Sequence, residues 1–355
     1  MNYVGTARPI HDAKGKATGY TKYAGDLSLP NMAYLCMLHS KIPHGYVKAV
    51  HAEKALALPG VYGVYHCLNT TDRKYNRYHS NFDQAYLPNE ECAFNDYVRF
   101  VGDKIGVVAA CDQETAERAA RLVEVEYEEL PFSIGFDDTL AGKNCLEGET
   151  PVRDEYTLEV GKKQESTEGL IEVCSTMELP RLHHATMETH ACIADYDPYI
   201  DMLTVYCPNQ AVHGIRTVLA DYLEMPESHV RVIKATMGGS FGAKQEWFLE
   251  PVATLVTKKL CCPVKLVYSR GEAMTDTIVR GAMRMSARGY YTPDGEMKEI
   301  YCDVTLDAGA YIGNAGDYVR ALAGKPTRCY RIPYMHYHGQ VISSNSPVSG
   351  AFRSW

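Results

Sequence analysis

Two spacings of apolar residues divide the chain into elements. Residues 33–38 and 61–66 are short runs rich in apolar and aromatic side chains, which predicts strands, with a short helix over 51–58 between them ended by Pro59 and Gly60. Residues 69–89 are polar, rich in Tyr and Asn, and read as loop. A strand is expected over 104–111, after which Asp112 stands as an N-cap with Glu114 and Glu117 in the first turns of a helix through Ala116, Ala119 and Ala120. Val123, Val125 and Tyr127 then alternate with Glu124, Glu126 and Glu128, the period of a strand with one wet face. These three elements read as a β-α-β unit.

Further strands are expected over 171–179, 191–196 and 203–207. Val212, Ile215, Val218, Leu219, Tyr222 and Leu223 then share one helical face, which stops before Pro226. Val230, Val232 and Ile233 return as a strand. The loop 237–244 follows, leading into a helix striped by Trp247, Phe248, Val252, Leu255 and Val256 and ended by Pro263. A strand over 264–268 comes next, and Asp294 with Gly295 forms a turn between strands near 283–291 and 298–306. Residues 138–170, rich in glycine and charge and without periodicity, read as an interdomain linker, which separates domains at 1–137 and 171–355.

A length of 355 residues suits two domains, and 46% hydrophobic with 23% charged residues is an ordinary globular composition. The net charge of -8 leaves no basic footprint, so nucleic-acid binding is disfavoured. Twelve scattered cysteines without a CxxC pair exclude the usual iron–sulfur or Cys-rich zinc module and suit a reducing, cytoplasmic setting. The first residues lack a secretory pattern, and no run of about 18 apolar residues predicts a membrane span.

Candidate chemistry gathers at a few points. In the loop Gly238-Gly239-Ser240-Phe241-Gly242-Ala243-Lys244, glycines permit close backbone approach, and a following helix N-terminus would offer N–H groups to an anion; a plain tight turn is the other reading. His183, His184, Glu188 and His190 are the densest set of metal-ligand residue types, but a strand would spread positions 184 and 190 about 20 Å apart, which favours polar pairing over zinc. Gln210, at a strand end, and the arginines Arg320 and Arg353, amid small and apolar neighbours, suit a site or a structural role equally. HExxH and a dinucleotide fingerprint are missing from the sequence.

Several further motifs fall in one order: Gly19 through Asp26 with Leu29-Pro30-Asn31-Met32, Pro43-His44, Leu58-Pro59-Gly60-Val61, Val101-Gly102-Asp103-Lys104 and Glu126 through Pro131. Met187-Glu188-Thr189-His190, Asn209-Gln210, the 238–244 loop and Gly350-Ala351-Phe352-Arg353 follow. Together they resemble the molybdenum hydroxylases, the xanthine dehydrogenase and aldehyde oxidase family, across nearly the whole chain. The resemblance implies an α+β chain in which an α/β hammerhead domain precedes a first, partial molybdopterin-binding α/β domain, the family's second molybdenum-binding domain being absent.

By the same resemblance Gln210 corresponds to a glutamine that hydrogen-bonds the molybdenum centre. Gly239, Ser240, Phe241 and Gly242 correspond to a loop beside the molybdenum-molybdopterin cofactor, and Arg353 to a second cofactor loop. Gln245 and Arg320 correspond to substrate-contacting, catalytic positions; Gln245 stands where an acidic residue is common, and it can hydrogen-bond but hold no charge. No protein ligand to the metal is implied on this chain. The implied activity is oxidative hydroxylation of a small purine-like N-heterocycle with water as oxygen source, with FAD and [2Fe–2S] on partner subunits, a possible dimer of such assemblies, and no turnover by this chain alone. An aldehyde-oxidising relative or a non-catalytic accessory module of the same fold are the alternatives.

Overall fold

The computed structural model describes residues 4–78, 88–143, 146 and 150–353. In chain order the strands are β1 (Ala33–His39), β2 (Gly45–His51), β3 (Val61–His66), β4 (Tyr97–Val98), β5 (Lys104–Ala110), β6 (Glu124–Glu129), β7 (Val152–Gly161) and β8 (Ile171–Leu179). They continue as β9 (Ala191–Asp197), β10 (Met202–Cys207), β11 (Val230–Lys234), β12 (Val264–Val267), β13 (Met283–Tyr291), β14 (Met297–Gly309) and β15 (Tyr334–Ser343).

Among the described residues the strands form three sheets, and the largest takes strands from both halves of the chain. It runs β11-β10-β9-β12-β1-β5-β3, joined across the middle by parallel pairing of Ala33, Tyr34 and Leu35 with Val264, Lys265 and Leu266. Strand β5 is buried along its whole length, as an interior strand covered on both faces must be. The core here mixes Leu35, Phe94 and Val107 from the first half with Leu203, Val205, Trp247, Phe248 and Val252 from the second. A five-stranded sheet, β7-β15-β14-β13-β8, packs Met283, Val304, Leu306 and Met335 against Val319 of the helix Ala315–Ala323. A small sheet, β4-β2-β6, completes the first half of the chain.

The expected strands at 61–66 and 171–179 have those bounds, and Asp112 caps the helix Gln113–Ala120 by accepting from the Thr115 N–H at 2.7 Å. Four expectations are corrected. Residues 152–161, inside the stretch expected as a linker, form β7, which pairs with β15 from Tyr334 to Ile342; its alternating exposure was hidden by its many charged residues. The strands on either side of the helix Gln113–Ala120 do not share a sheet: β5 lies between β1 and β3, whereas β6, with its glutamates in water, pairs with β2. The helix expected over 51–58 shrinks to Glu53–Leu56, because Gly45–His51 is strand β2. The helix after the glycine loop starts only at Glu250, six residues beyond Lys244, so Trp247 and Phe248 are buried ahead of it rather than on its stripe. Residues 79–87 of the expected loop lie outside the described residues. No described helix is long and apolar enough to cross a membrane.

Candidate active site

Three connecting segments meet: two follow β10 and β11 of the large sheet, and the third follows β15 of the five-stranded sheet. Gln210 lies just beyond β10, and its N–H donates to the Lys244 carbonyl at 2.7 Å. Its side-chain oxygen accepts from the Ser240 hydroxyl, which in turn accepts from the Lys244 N–H at 3.2 Å. Ser240 is buried while Gln210 and Phe241 are exposed. Ser240 therefore orients Gln210 from beneath, a positioning role that the sequence had placed on the cofactor side.

The glycines do specific work at this junction. Gly242 has φ +105°, and a Cβ there would fall 2.3 Å from the Ala351 carbonyl oxygen, so only glycine lets the 238–244 and 350–353 segments touch. Gly239 has φ +99°, and a Cβ there would meet the Phe241 ring at 3.4 Å and Thr186 at 3.7 Å, ordinary contacts without a clash. Phe241 and Arg353 both adopt left-handed backbone angles, φ 55° and 54°, rare for bulky side chains. They face one another: the Arg353 N–H donates to the Phe241 carbonyl at 2.7 Å, and the guanidinium carbon lies 5.0 Å from the Phe241 ring centroid. Gln245 follows, half-buried, with its N–H on the Gly242 carbonyl at 3.2 Å.

The structure thus brings together Gln210, Gly239, Ser240, Phe241, Gly242, Gln245 and Arg353. It does not bring Arg320 among them. That side chain makes a bidentate pair with Asp154 on β7, at 2.5 and 2.9 Å, beside Tyr156. The helix-terminus reading of the loop is also corrected, because no helix begins there. Lys244 is no anion ligand either: 1% exposed, its ammonium donates to the Glu188 carboxylate at 2.7 Å and to the Glu188 carbonyl at 3.0 Å.

The histidine-rich segment lies between β8 and β9 outside any strand, and backs the site. His184 Nε2 hydrogen-bonds the Ala351 carbonyl at 2.7 Å and His190 Nε2 that of Ala243 at 3.0 Å, one tether to each loop. Burial pushes both imidazoles down to about 4, so they are neutral donors at neutral pH. Glu188 also accepts from the Gly238 N–H at 2.7 Å. Among the described residues no group of three or more His, Cys, Asp or Glu is arranged to hold a metal ion.

Sequence reasoning passed over Glu246, 1% exposed with neither carboxyl oxygen hydrogen-bonded among the described residues. Its adjacency to Gln245 was the signal available. A cleft of about 840 Å³, lined by Tyr34, His39, Lys41, Gln113, Arg121 and Glu272, lies elsewhere and contains no residue of this junction.

The junction suits an oxygen-rich anionic group: an exposed amide and an exposed guanidinium flank the glycine loop, whose Gly238 N–H is already taken by Glu188. Comparison with known proteins agrees. Residues 18–131 match the model for the "Aldehyde oxidase and xanthine dehydrogenase, a/b hammerhead domain", and residues 149–355 match the "Molybdopterin cofactor-binding domain". The chain is 31% identical to the nicotinate dehydrogenase large molybdopterin subunit of Eubacterium barkeri, over 97% of this chain and 80% of that one. It is 30% identical to the xanthine dehydrogenase molybdenum-binding subunit of Escherichia coli O157:H7, over 97% of this chain but 46% of that subunit, so it spans about half the length of such relatives. Quinoline 2-oxidoreductase from Pseudomonas putida 86 has the same fold, with a TM-score of 0.90 at 23% identity, over 98% of this chain and 45% of that one. From the junction's geometry and these matches, the chain belongs to the xanthine dehydrogenase and aldehyde oxidase family of molybdenum hydroxylases, as part of the molybdopterin-binding large subunit.

Proposed function

We propose that this chain contributes one wall of the active site in a multi-subunit molybdenum hydroxylase that oxidatively hydroxylates a purine-like or pyridine-like N-heterocycle with water as oxygen source. The observation that carries the reading is that Gln210, through Ser240, and Arg353, through Phe241, both contact the glycine loop while their own side chains stay exposed. Relatives named for nicotinate and xanthine support the heterocycle class.

The molybdenum-molybdopterin group supplies two-electron redox chemistry when bound. The protein supplies placement. Gln210, fixed through Ser240 and its own N–H, offers its amide to that group; Gly239 and Gly242 let the backbone come close; Arg353 adds positive charge, its direction set by Phe241. Gln245 faces the substrate in this reading, its amide able to donate to and accept from a heterocycle's ring nitrogens and carbonyls. Arg320 we assign to holding β7 against the helix Ala315–Ala323, because Asp154 already occupies its guanidinium. FAD and [2Fe–2S] groups on partner subunits would carry the electrons away.

The test is the assembled enzyme, with its partner subunits, offered nicotinate, hypoxanthine and an aldehyde. We expect molybdenum in stoichiometric amount and oxidation of a heterocycle in preference to the aldehyde. Gln210→Leu is expected to lower kcat by about 10- to 100-fold. An assembly that contains no molybdenum, or oxidises only aldehydes, overturns the reading.

A further inference from the structure

Glu246 touches all three segments of the junction. Its backbone carbonyl accepts from the Asn209 side-chain amide at 2.7 Å, next to Gln210, and its chain position directly follows the glycine loop and Gln245. Its carboxyl reaches the third segment. A Cβ built on Gly350 would lie 2.9 Å from Glu246 Oε1 and 2.5 Å from Ile278 Cδ1, so the carboxyl and Ile278 together form the seat of Gly350. Gly350 is held there by its N–H on the Val279 carbonyl, 2.8 Å.

This carboxyl is unusual in lacking partners: both oxygens are buried and neither is hydrogen-bonded among the described residues. A buried polar group in that condition is costly and calls for an explanation. The charged groups acting on it are Arg77, from the segment before β4, and Glu91; Tyr78 in turn feels Glu246 together with Asp317 of the helix Ala315–Ala323. Arg77 is itself buried, bound to Glu91 through Nε at 2.6 Å, with Nη1 lacking a hydrogen bond among the described residues.

We propose that Glu246 is a positioning residue whose carboxyl, wedged against Gly350 and anchored at its backbone to Asn209, sets the separation between the 238–244 and 350–353 loops. Burial raises its pKa to about 8, Arg77 opposing the rise and Glu91 adding to it, so at neutral pH the wedge is the neutral acid. Ionisation in alkali strengthens the pull of the Arg77 guanidinium on the carboxyl and releases Gly350. The inference rests on the proposed function for what the loops hold, whereas the wedge is a property of the chain alone.

Amide hydrogen exchange on the purified protein reads this without any cofactor. The reporters are the Gly350 and Arg353 N–H groups, expressed as protection factors at pH 7 and pH 9 for the wild type, Glu246→Gln and Glu246→Ala. In the wild type we expect protection at both amides to fall about tenfold between the two pH values. Glu246→Gln, isosteric and never charged, keeps the pH 7 protection at both. Glu246→Ala loses about tenfold at these two amides already at pH 7, with β14 unchanged. The proposal is overturned if Glu246→Gln shows the same alkaline loss as wild type, or if Glu246→Ala leaves both amides protected or weakens every sheet amide alike. Should Glu246→Ala fail to fold, the Gln comparison still decides. Absence of molybdenum from the assembled enzyme would sink the functional reading and leave this exchange pattern untouched.

Discussion

Lys244 shows how far a residue's meaning depends on what surrounds it. A lysine ending a glycine-rich loop suits an anion site, yet its ammonium is buried against Glu188, whose other carboxyl oxygen has no partner among the described residues. Burial lowers the Lys244 pKa, and Glu188 restores part of the loss. The pair fastens the histidine-rich segment to the back of the glycine loop. Breaking a buried pair strands the remaining charge, so Lys244→Met should destabilise the protein by about 3–5 kcal/mol in urea unfolding, and adding Glu188→Gln should recover part of it. A cost below about 1 kcal/mol would mean the pair is solvated and of the weak surface kind. The sequence showed both residues, Glu188 clustered with His184 and His190 and Lys244 at the end of the glycine loop. It could not show that the segment carrying Glu188 passes beneath the loop, because 56 residues separate the two in sequence.

Elements governed by local rules were legible, and those governed by their neighbours were not. Asp112 capping its helix, β3 and β8 followed from residues close together in sequence. Strand β7 did not: its charged residues suggest loop, and its pairing partner β15 lies far along the chain. At the junction the decisive element is the contact between Gly242 and Ala351. Gly242→Ala must move a Cβ off the Ala351 carbonyl and also carries a left-handed φ, so it should lower stability by more than about 1 kcal/mol and reduce molybdenum content of the assembled enzyme. Gly239→Ala shares the backbone cost, but its Cβ meets nothing closer than the Phe241 ring at 3.4 Å, so the smaller loss is expected there. Thermal unfolding with metal analysis of the two variants gives the order, and equal losses would count against the contact.

Across the molecule a buried ionic network fixes the two halves to each other. Glu91 accepts from Lys104 at 2.6 Å and from Arg77 Nε at 2.6 Å, while Lys104 lies 3.6 Å from Asp276, itself bonded by Tyr268. Burial alone would raise the pKa values of Glu91 and Asp276, but the cations overcome it: Arg77 then Lys104 lower that of Glu91, and Lys104 leads for Asp276. Carboxylates with lowered pKa stabilise the fold above their ordinary values of 4.5 and 3.8, and this contribution is lost as pH falls through the folded pKa. Lys104→Met should therefore cost about 3–5 kcal/mol at pH 7 and progressively less toward pH 3. Because β5 sits in the sheet shared by both halves, Trp fluorescence and circular dichroism should report one common urea transition. Separate transitions, or a cost that grows in acid, would contradict the network.

What the sequence by itself determined was the local grammar of the chain and the residue types of the site: most strands and helices, the order of motifs, and Gln210, residues 239–242 and Arg353 as candidates. These are properties of neighbours in sequence and of short motifs. Only the tertiary structure decided that the supposed linker holds a sheet edge, that Ser240 supports Gln210 from below, that Arg320 is engaged by Asp154, and that an unbonded Glu246 carboxyl sits against Gly350. Each is a contact between residues at least 30 positions apart, and side-chain partners at such separations are fixed by how sheets and loops pack, which no local pattern encodes.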